Sequence, residues 1–156
     1  MHVLFPPSTI QVSGKSVFLA GTIDMGNSSD WQADVIMAFE EIVWTHPITI
    51  LNPRRKEWDN NWKQEIQNPK FAEQVNWELD ALEKADVILL YLAAGSYSPV
   101  SMLELGLFGD SGKLIVCCEN RFWRKGNIDI VCKRKNIPVC ENLHDLITVG
   151  IQFLNR

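Results

Sequence analysis

Val87-Ile88-Leu89-Leu90-Tyr91-Leu92, then the loop Ala93–Tyr97, then Ser98-Pro99-Val100-Ser101-Met102-Leu103-Glu104-Leu105-Gly106-Leu107-Phe108 is the stretch that decides the fold. The first part is a short, unbroken apolar run behind Asp86, the signature of a strand buried on both faces. Ser98 then stands at an N-cap position and Pro99 at the first helical position of the segment that follows. A buried strand handing over to a helix is half of a βαβ unit. Within the helix only Glu104 is charged, and its neighbours at three and four positions are Val100, Ser101, Leu107 and Phe108. A helix apolar nearly all round is expected to be buried. A carboxylate there is costly to desolvate. Glu104 therefore calls for one of two things: a structural partner, such as a backbone group or the hydroxyl of Tyr91 or Tyr97, or a chemical role.

Working outward, the same alternation recurs. Ser16-Val17-Phe18-Leu19-Ala20-Gly21, Ile48-Thr49-Ile50-Leu51 and Lys113-Leu114-Ile115-Val116-Cys117-Cys118 read as further buried strands, with Ile137–Cys140 as an edge strand. Helices are expected from a Ser29 or Asp30 cap to about Trp44, over the stripe Phe71, Val75, Leu79 and Leu82, from Asn127 to Asn136, and from an Asn142 cap to about Leu154. The expected fold is α/β: a single-domain three-layer α/β/α arrangement with a mostly parallel, doubly wound (Rossmann-like or flavodoxin-like) sheet. Residues 1–15 read as an N-terminal arm, with a short strand near Thr9–Val12, and residues 16–156 as the domain.

Composition narrows the function classes. The chain of 156 residues is 46% hydrophobic and 22% charged with a formal net charge of −4. That gives no basic footprint for polymeric nucleic acid or an anionic membrane. No apolar run approaches the length of a membrane span, and a cytoplasmic location is the default expectation. Cys117, Cys118, Cys132 and Cys140 form no C-x-x-C pair, and His2, His46 and His144 are scattered. Small buried thiols are expected, and neither a metal nor an organic cofactor.

In a doubly wound sheet ligands bind beyond the carboxyl ends of the strands, near the switch in strand order. The loops at that end are 21–29, 52–62, 93–99 and 119–127. The run Gly21-Thr22-Ile23-Asp24-Met25-Gly26 matches neither the dinucleotide fingerprint nor the P-loop. Asp24 would repel phosphate and suits sugar hydroxyls, although a plain strand–helix turn accounts for the loop equally well. The long connection holding Trp58, Asp59, Asn60, Asn61 and Trp62 offers donors and acceptors for a base edge. Trp58, Trp62 and Trp123 are either walls of a site or ordinary packing. Glu78 is the second conspicuous carboxylate, at the edge of the helical stripe between Val75 and Leu82. Two carboxylates at one cleft can divide the work of acid and nucleophile. A desolvated Glu104 would then suit attack on an anomeric carbon.

Three runs in order carry a resemblance: Phe18-Leu19-Ala20-Gly21-Thr22-Ile23-Asp24-Met25-Gly26, Asn52-Pro53-Arg54-Arg55 and Phe122-Trp123-Arg124-Lys125-Gly126-Asn127, joined by Met102-Leu103-Glu104-Leu105-Gly106. Together they resemble the nucleoside 2-deoxyribosyltransferases over residues 16–147. The resemblance implies transfer of the 2-deoxyribosyl group of a 2′-deoxynucleoside to a free nucleobase by double displacement. Glu104 falls on the family's nucleophile and Glu78, 26 positions earlier, on its second acid. The family's sugar-contacting Asp, six before the nucleophile, is replaced here by Ser98, a departure for which Asp24 would compensate. Asn127 or Asp129 would reach the 5′-hydroxyl from a neighbouring subunit in a homo-oligomer with shared sites. With Gly21 and Asp59 these make up the candidate substrate-binding set. Two other readings stand beside this one: an N-glycosidase that hydrolyses deoxynucleosides or their 5′-monophosphates, and a non-catalytic nucleoside- or nucleotide-binding domain.

Overall fold

The computed structural model describes residues 1–23 and 29–156. Eleven elements follow in order: β1 (His2–Leu4), β2 (Lys15–Gly21), α1 (Trp31–Glu40), β3 (Ile48–Leu51), α2 (Pro69–Lys84), β4 (Val87–Leu92), α3 (Pro99–Phe108), β5 (Leu114–Cys118), α4 (Lys125–Lys135), β6 (Val139–Cys140) and α5 (Leu143–Leu154). The six strands form one sheet in the order β1-β3-β2-β4-β5-β6. Every strand pair is parallel, with Gly21 opposite Tyr91 at the carboxyl end of β2. Leaving β1 aside, the remaining strands run in the flavodoxin-like order, and its switch point lies between β2 and β4.

Side-chain alternation along the strands divides the core in two. Phe18, Ala20, Ile88, Leu90 and Leu92 face Trp77, Ala81 and Leu82 of α2, Leu105 of α3 and Ile128 of α4. Val17, Leu19, Val87, Leu89 and Tyr91 face Trp31, Val35 and Phe39 of α1 and Leu146 and Leu154 of α5. Strands buried on both faces need no polar alternation, which is why β4 carries none. Each fully buried Leu or Ile contributes about 1.5–3 kcal/mol. Asp30, Asn68 and Asn142 cap α1, α2 and α5 through their side chains. Among the described residues no helix is long and apolar enough to cross a membrane.

Four local expectations are corrected. The N-terminal strand is His2–Leu4, paired with β3, and not Thr9–Val12. Just after that segment the Ser13 N–H donates to the Thr49 hydroxyl, which donates in turn to the Ser13 carbonyl, so the chain meets β3 through a side chain. Helix α1 stops at Glu40, before Trp44, whose indole folds back to donate to the Phe39 carbonyl. On α2 the buried positions are Gln74, Trp77, Ala81 and Leu82, while Leu79 is exposed. Helix α3 is not buried all round: it turns Ser101, Glu104 and Leu105 inward and leaves Val100, Leu103 and Leu107 exposed.

Candidate active site

The β2–β4 switch point is built around three hydroxyls. The Thr22 hydroxyl oxygen lies 3.0 Å from that of Ser96 and 2.7 Å from that of Ser98, and the two serine oxygens are 2.9 Å apart. Thr22 also accepts from the Ala93 backbone N–H at 3.0 Å, and Ser96 donates to the Ala93 carbonyl at 2.8 Å. All three side chains are buried. The buried indole of Trp31 donates to the Thr22 carbonyl at 2.9 Å, tying α1 to the same strand end. Gly21 makes the approach of β2 to β4 possible. Its φ of +141° disfavours any other residue, and a Cβ there would lie 2.2 Å from the Tyr91 carbonyl oxygen.

Ser98 occupies the N-cap position of α3, but in the left-handed region (φ 44°, ψ 51°) and without a capping hydrogen bond. Its hydroxyl is committed to the cluster, so the cap expected from the sequence is present in position and absent in chemistry.

Beyond the cluster, α3 points Glu104 inward. Among the described residues no donor bonds its carboxyl group and no cation pairs with it. The two tyrosines are engaged elsewhere. The Tyr91 hydroxyl donates to Glu119 at 2.6 Å, and exposed Tyr97 packs on Trp123 at 5.4 Å between ring centroids. Burial, followed by the nearby charge of Glu78, pushes the Glu104 carboxyl up to about 8. Burial likewise pushes Glu78 up to about 7, against an opposing hydrogen bond from Gln74. Both groups are thus pushed toward neutrality, the range in which one carboxyl can be ionised while the other holds a proton. Helices α2 and α3 lie on one face of the sheet, which is how residues 26 positions apart come near enough for the charge of Glu78 to act on Glu104.

Gln74 was not singled out in the sequence, although it lies one helical turn before Glu78. It is buried, and its amide nitrogen donates to the Pro53 carbonyl at 2.9 Å and to Glu78 Oε1 at 2.8 Å. Thr22, Ser96 and Gln32 were missed as well. Gln32 is fully buried and accepts from Arg54 Nε at 2.8 Å, while Arg54 also pairs with Asp30 at 3.0 Å.

Other expected positions lie differently. Asp59 is exposed and accepts from the backbone and side-chain nitrogens of Asn61, both at 2.9 Å, and Asn60 accepts from the Trp58 indole. Those polar groups satisfy their own loop. Trp58 and Trp62 pack edge-on at 5.2 Å, with the Arg55 guanidinium over Trp62. Arg55 Nη1 also lies 2.7 Å from Glu73, out of line for a hydrogen bond. Asn127 is exposed on the first turn of α4, and Asp129 is paired with Lys125 at 2.8 Å. Neither has a hydrogen bond or ion pair to Glu78 or Glu104 among the described residues. Asp24 lies outside the described residues. Among those described, no group of three or more His, Cys, Asp or Glu residues is placed to hold a metal ion.

A conserved protein from Enterococcus faecalis V583, known from its crystal structure, superposes with a TM-score of 0.62 at 12% identity, covering 90% of this chain and 99% of its own. At that identity the likeness is one of fold. No curated protein sequence matches the chain. A family model described as "Nucleoside 2-deoxyribosyltransferase like" matches residues 14–122, a span that includes the hydroxyl cluster, Glu78 and Glu104. The chain belongs to the nucleoside 2-deoxyribosyltransferase-like family.

Proposed function

We propose that this protein transfers the 2-deoxyribosyl group of a 2′-deoxynucleoside between nucleobases through a covalent deoxyribosyl–Glu104 intermediate. The observation that carries the reading is the buried carboxyl of Glu104 near Glu78, without a partner among the described residues, on a helix that enters the sheet's switch point. Ionised Glu104 attacks C1′, the C1′–N bond breaks, and the bond's electron pair leaves with the base. The productive form carries the charge on Glu104 and the proton on Glu78, the less populated arrangement because Glu104 is pushed higher, and from it Glu78 supplies the proton that the departing nitrogen takes up. A second base then attacks C1′, displaces Glu104 and returns a proton to Glu78, with net retention. The two-carboxyl arrangement is that of retaining glycosyl transfer, in which one group is nucleophile and the other alternates as acid and base. Burial strengthens Glu104 as a nucleophile, because a carboxylate with a raised proton affinity gains more on bonding to carbon. The reading is of a cytoplasmic enzyme of nucleoside salvage that uses its own side chains and no cofactor.

Assembly of the site from two copies is part of the proposal. Val100, Leu103 and Leu107 make an exposed apolar stripe on the outer face of the helix whose inner face carries Glu104. A homo-oligomer that covered this stripe would bring a neighbour beside the site, where the neighbour's Asn127 or Asp129 could meet the 5′-hydroxyl.

A specific observation favours a second reading. Neutral hydroxyls of Thr22, Ser96 and Ser98 replace the acid expected at position 98, so a 5′-monophosphate meets no fixed negative charge there. Water in place of the acceptor base would then make the protein an N-glycosidase.

Incubation with thymidine or deoxyinosine, with and without adenine, separates these outcomes by chromatography of the products. Base exchange that requires adenine supports transfer. Free deoxyribose at the same rate with or without adenine supports hydrolysis. Nucleoside binding without turnover, unaffected by Glu104→Gln, would leave only a binding domain.

A further inference from the structure

We propose that Gln74 is a positioning residue for Glu78: its amide, anchored on the Pro53 carbonyl, holds one carboxyl oxygen of Glu78 and reserves the other for the proton exchanged during the reaction. This rests on the reading of Glu78 as the acid beside the nucleophile.

A primary amide has two N–H donors on one nitrogen. In Gln74 both are assigned, one to the Pro53 carbonyl at 2.9 Å and one to Glu78 Oε1 at 2.8 Å. Turning the amide over would bring its oxygen against the carbonyl of Pro53 and the carboxyl of Glu78. Pro53, two residues beyond β3, therefore locks the amide with nitrogen toward Glu78. Gln74 then acts only as a donor to Oε1. A proton on Glu78 is accordingly carried by Oε2, the oxygen free of the amide.

The other end of the amide pays for this arrangement. Gln74 Oε1 is buried and has no hydrogen-bond partner among the described residues. A leucine or methionine would fill the same space without an orphaned acceptor, so packing alone does not account for an amide here. Spacing by four places Gln74 and Glu78 on one helical face, which is the geometry required for the hold. Among the described residues the charged groups offer Glu78 no other partner. Glu104 on α3 is repulsive, Arg54 beyond Pro53 is paired with Asp30, and Arg55 lies against Glu73. Gln74 favours the ionised form of Glu78, opposing burial.

The test uses the full chain as wild type, Gln74→Met and Gln74→Glu, labelled with carboxyl-carbon-13 glutamate and titrated by NMR. The Glu78 signal is assigned from Glu78→Gln. The Glu78 midpoint is expected to rise by about one pH unit in Gln74→Met, as loss of a hydrogen bond to a charged group requires. A further rise is expected in Gln74→Glu, which adds a like charge of the same shape. With turnover, kcat in Gln74→Met should fall about tenfold and its pH profile should move with the Glu78 midpoint, while KM stays within about twofold. An unchanged midpoint in a folded Gln74→Met protein overturns the proposal. Should that variant fail to fold, an unchanged midpoint in Gln74→Glu does the same. Wild-type protein inert toward every deoxynucleoside would defeat the proposed function, whereas the NMR midpoints judge Gln74 independently of turnover.

Discussion

Thr22 at the end of β2 and Ser98 at the start of α3, 76 residues apart in sequence, share a hydroxyl–hydroxyl hydrogen bond of 2.7 Å. This bond closes the switch point of the sheet. It also explains how α3 can begin at a residue in the left-handed region with no cap of its own, since the Ser98 side chain is held from outside the helix. The same bond fills, with a neutral group, the position where the resembling transferases place an acid.

Thr22→Val keeps the shape of the side chain and removes the shared hydroxyl. The Ala93 N–H loses its acceptor, and both serines lose a partner. A loss of about 1–3 kcal/mol is expected for the unsatisfied buried groups. At about 2–4 °C per kcal/mol for a chain of this size, the thermal midpoint should drop by several degrees. Ser98→Ala should cost less, because the Thr22–Ser96 bond survives it. Paired melting curves check both the drop and the order.

Gly21→Ala places a Cβ 2.2 Å from the Tyr91 carbonyl oxygen at a φ of +141°. The clash is with backbone, which cannot rotate away, and relief would require β2 and β4 to part. Destabilisation above about 4 kcal/mol is expected, in the range reserved for such strain. Little folded protein should be recovered, and a variant melting within a few degrees of wild type would contradict the close approach.

Glu104→Gln should separate stability from activity. The wild-type group is pushed from an ordinary value of 4.5 to about 8 in the folded protein. Between those values the folded state retains a proton that the unfolded chain has released, so stability falls as pH rises from about 4.5 through about 8. The amide variant is free of that penalty. It should match wild type near pH 4 and exceed it by a few kcal/mol above pH 8, on the order expected for a shift of this size. Turnover should be lost. Denaturant titrations across pH with matched activity assays test both halves.

Glu78→Gln removes the negative charge that raises Glu104. The Glu104 midpoint should move down, so the ionised nucleophile persists to lower pH. The maximal rate is expected to fall by about 10²-fold through loss of the acid, and the alkaline limb of the rate profile, which marks loss of the Glu78 proton, should disappear. An alkaline limb left in place would show that Glu78 is not the acid.

Leu103→Glu sets a charge in the exposed apolar stripe of α3, where Leu103 is 61% exposed. The isolated fold should tolerate it within about 0.5 kcal/mol, as surface positions usually do. An oligomer built across this face should dissociate, and activity should fall with it if the site is shared. Sedimentation velocity of wild type and variant reads the change directly.

Much of this fold is local. β4 is legible because a strand covered on both faces must be apolar at every position, and a run such as Val87–Leu92 has few other uses. The helix caps at Asp30 and Asn142 follow from side chains that bond their own neighbours. Glu104 stood out for the same kind of reason, as one charge in an apolar segment. β1 did not, because three residues with a single buried side chain become a strand only when β3 is beside them.

The inward face of α3 illustrates where local pattern fails. Its composition is apolar on nearly every side, so no periodicity selects a face, and Ser101 and Glu104 are turned inward over Val100, Leu103 and Leu107. Asp59 misleads in the opposite way, since a polar residue in a long loop looks available until its own neighbours are seen to occupy it.

The succession of strands and helices from β2 onward and the identity of the isolated carboxylate thus follow from short-range patterns of burial and capping, which a single chain displays residue by residue. The Thr22–Ser96–Ser98 cluster, the meeting of Glu78 with Glu104 and the hold of Gln74 on Pro53 arise only when distant strand ends come together. Hydrogen bonding and desolvation act over a few ångströms of space, and the distance between two residues along a chain says nothing about that separation until the sheet has formed.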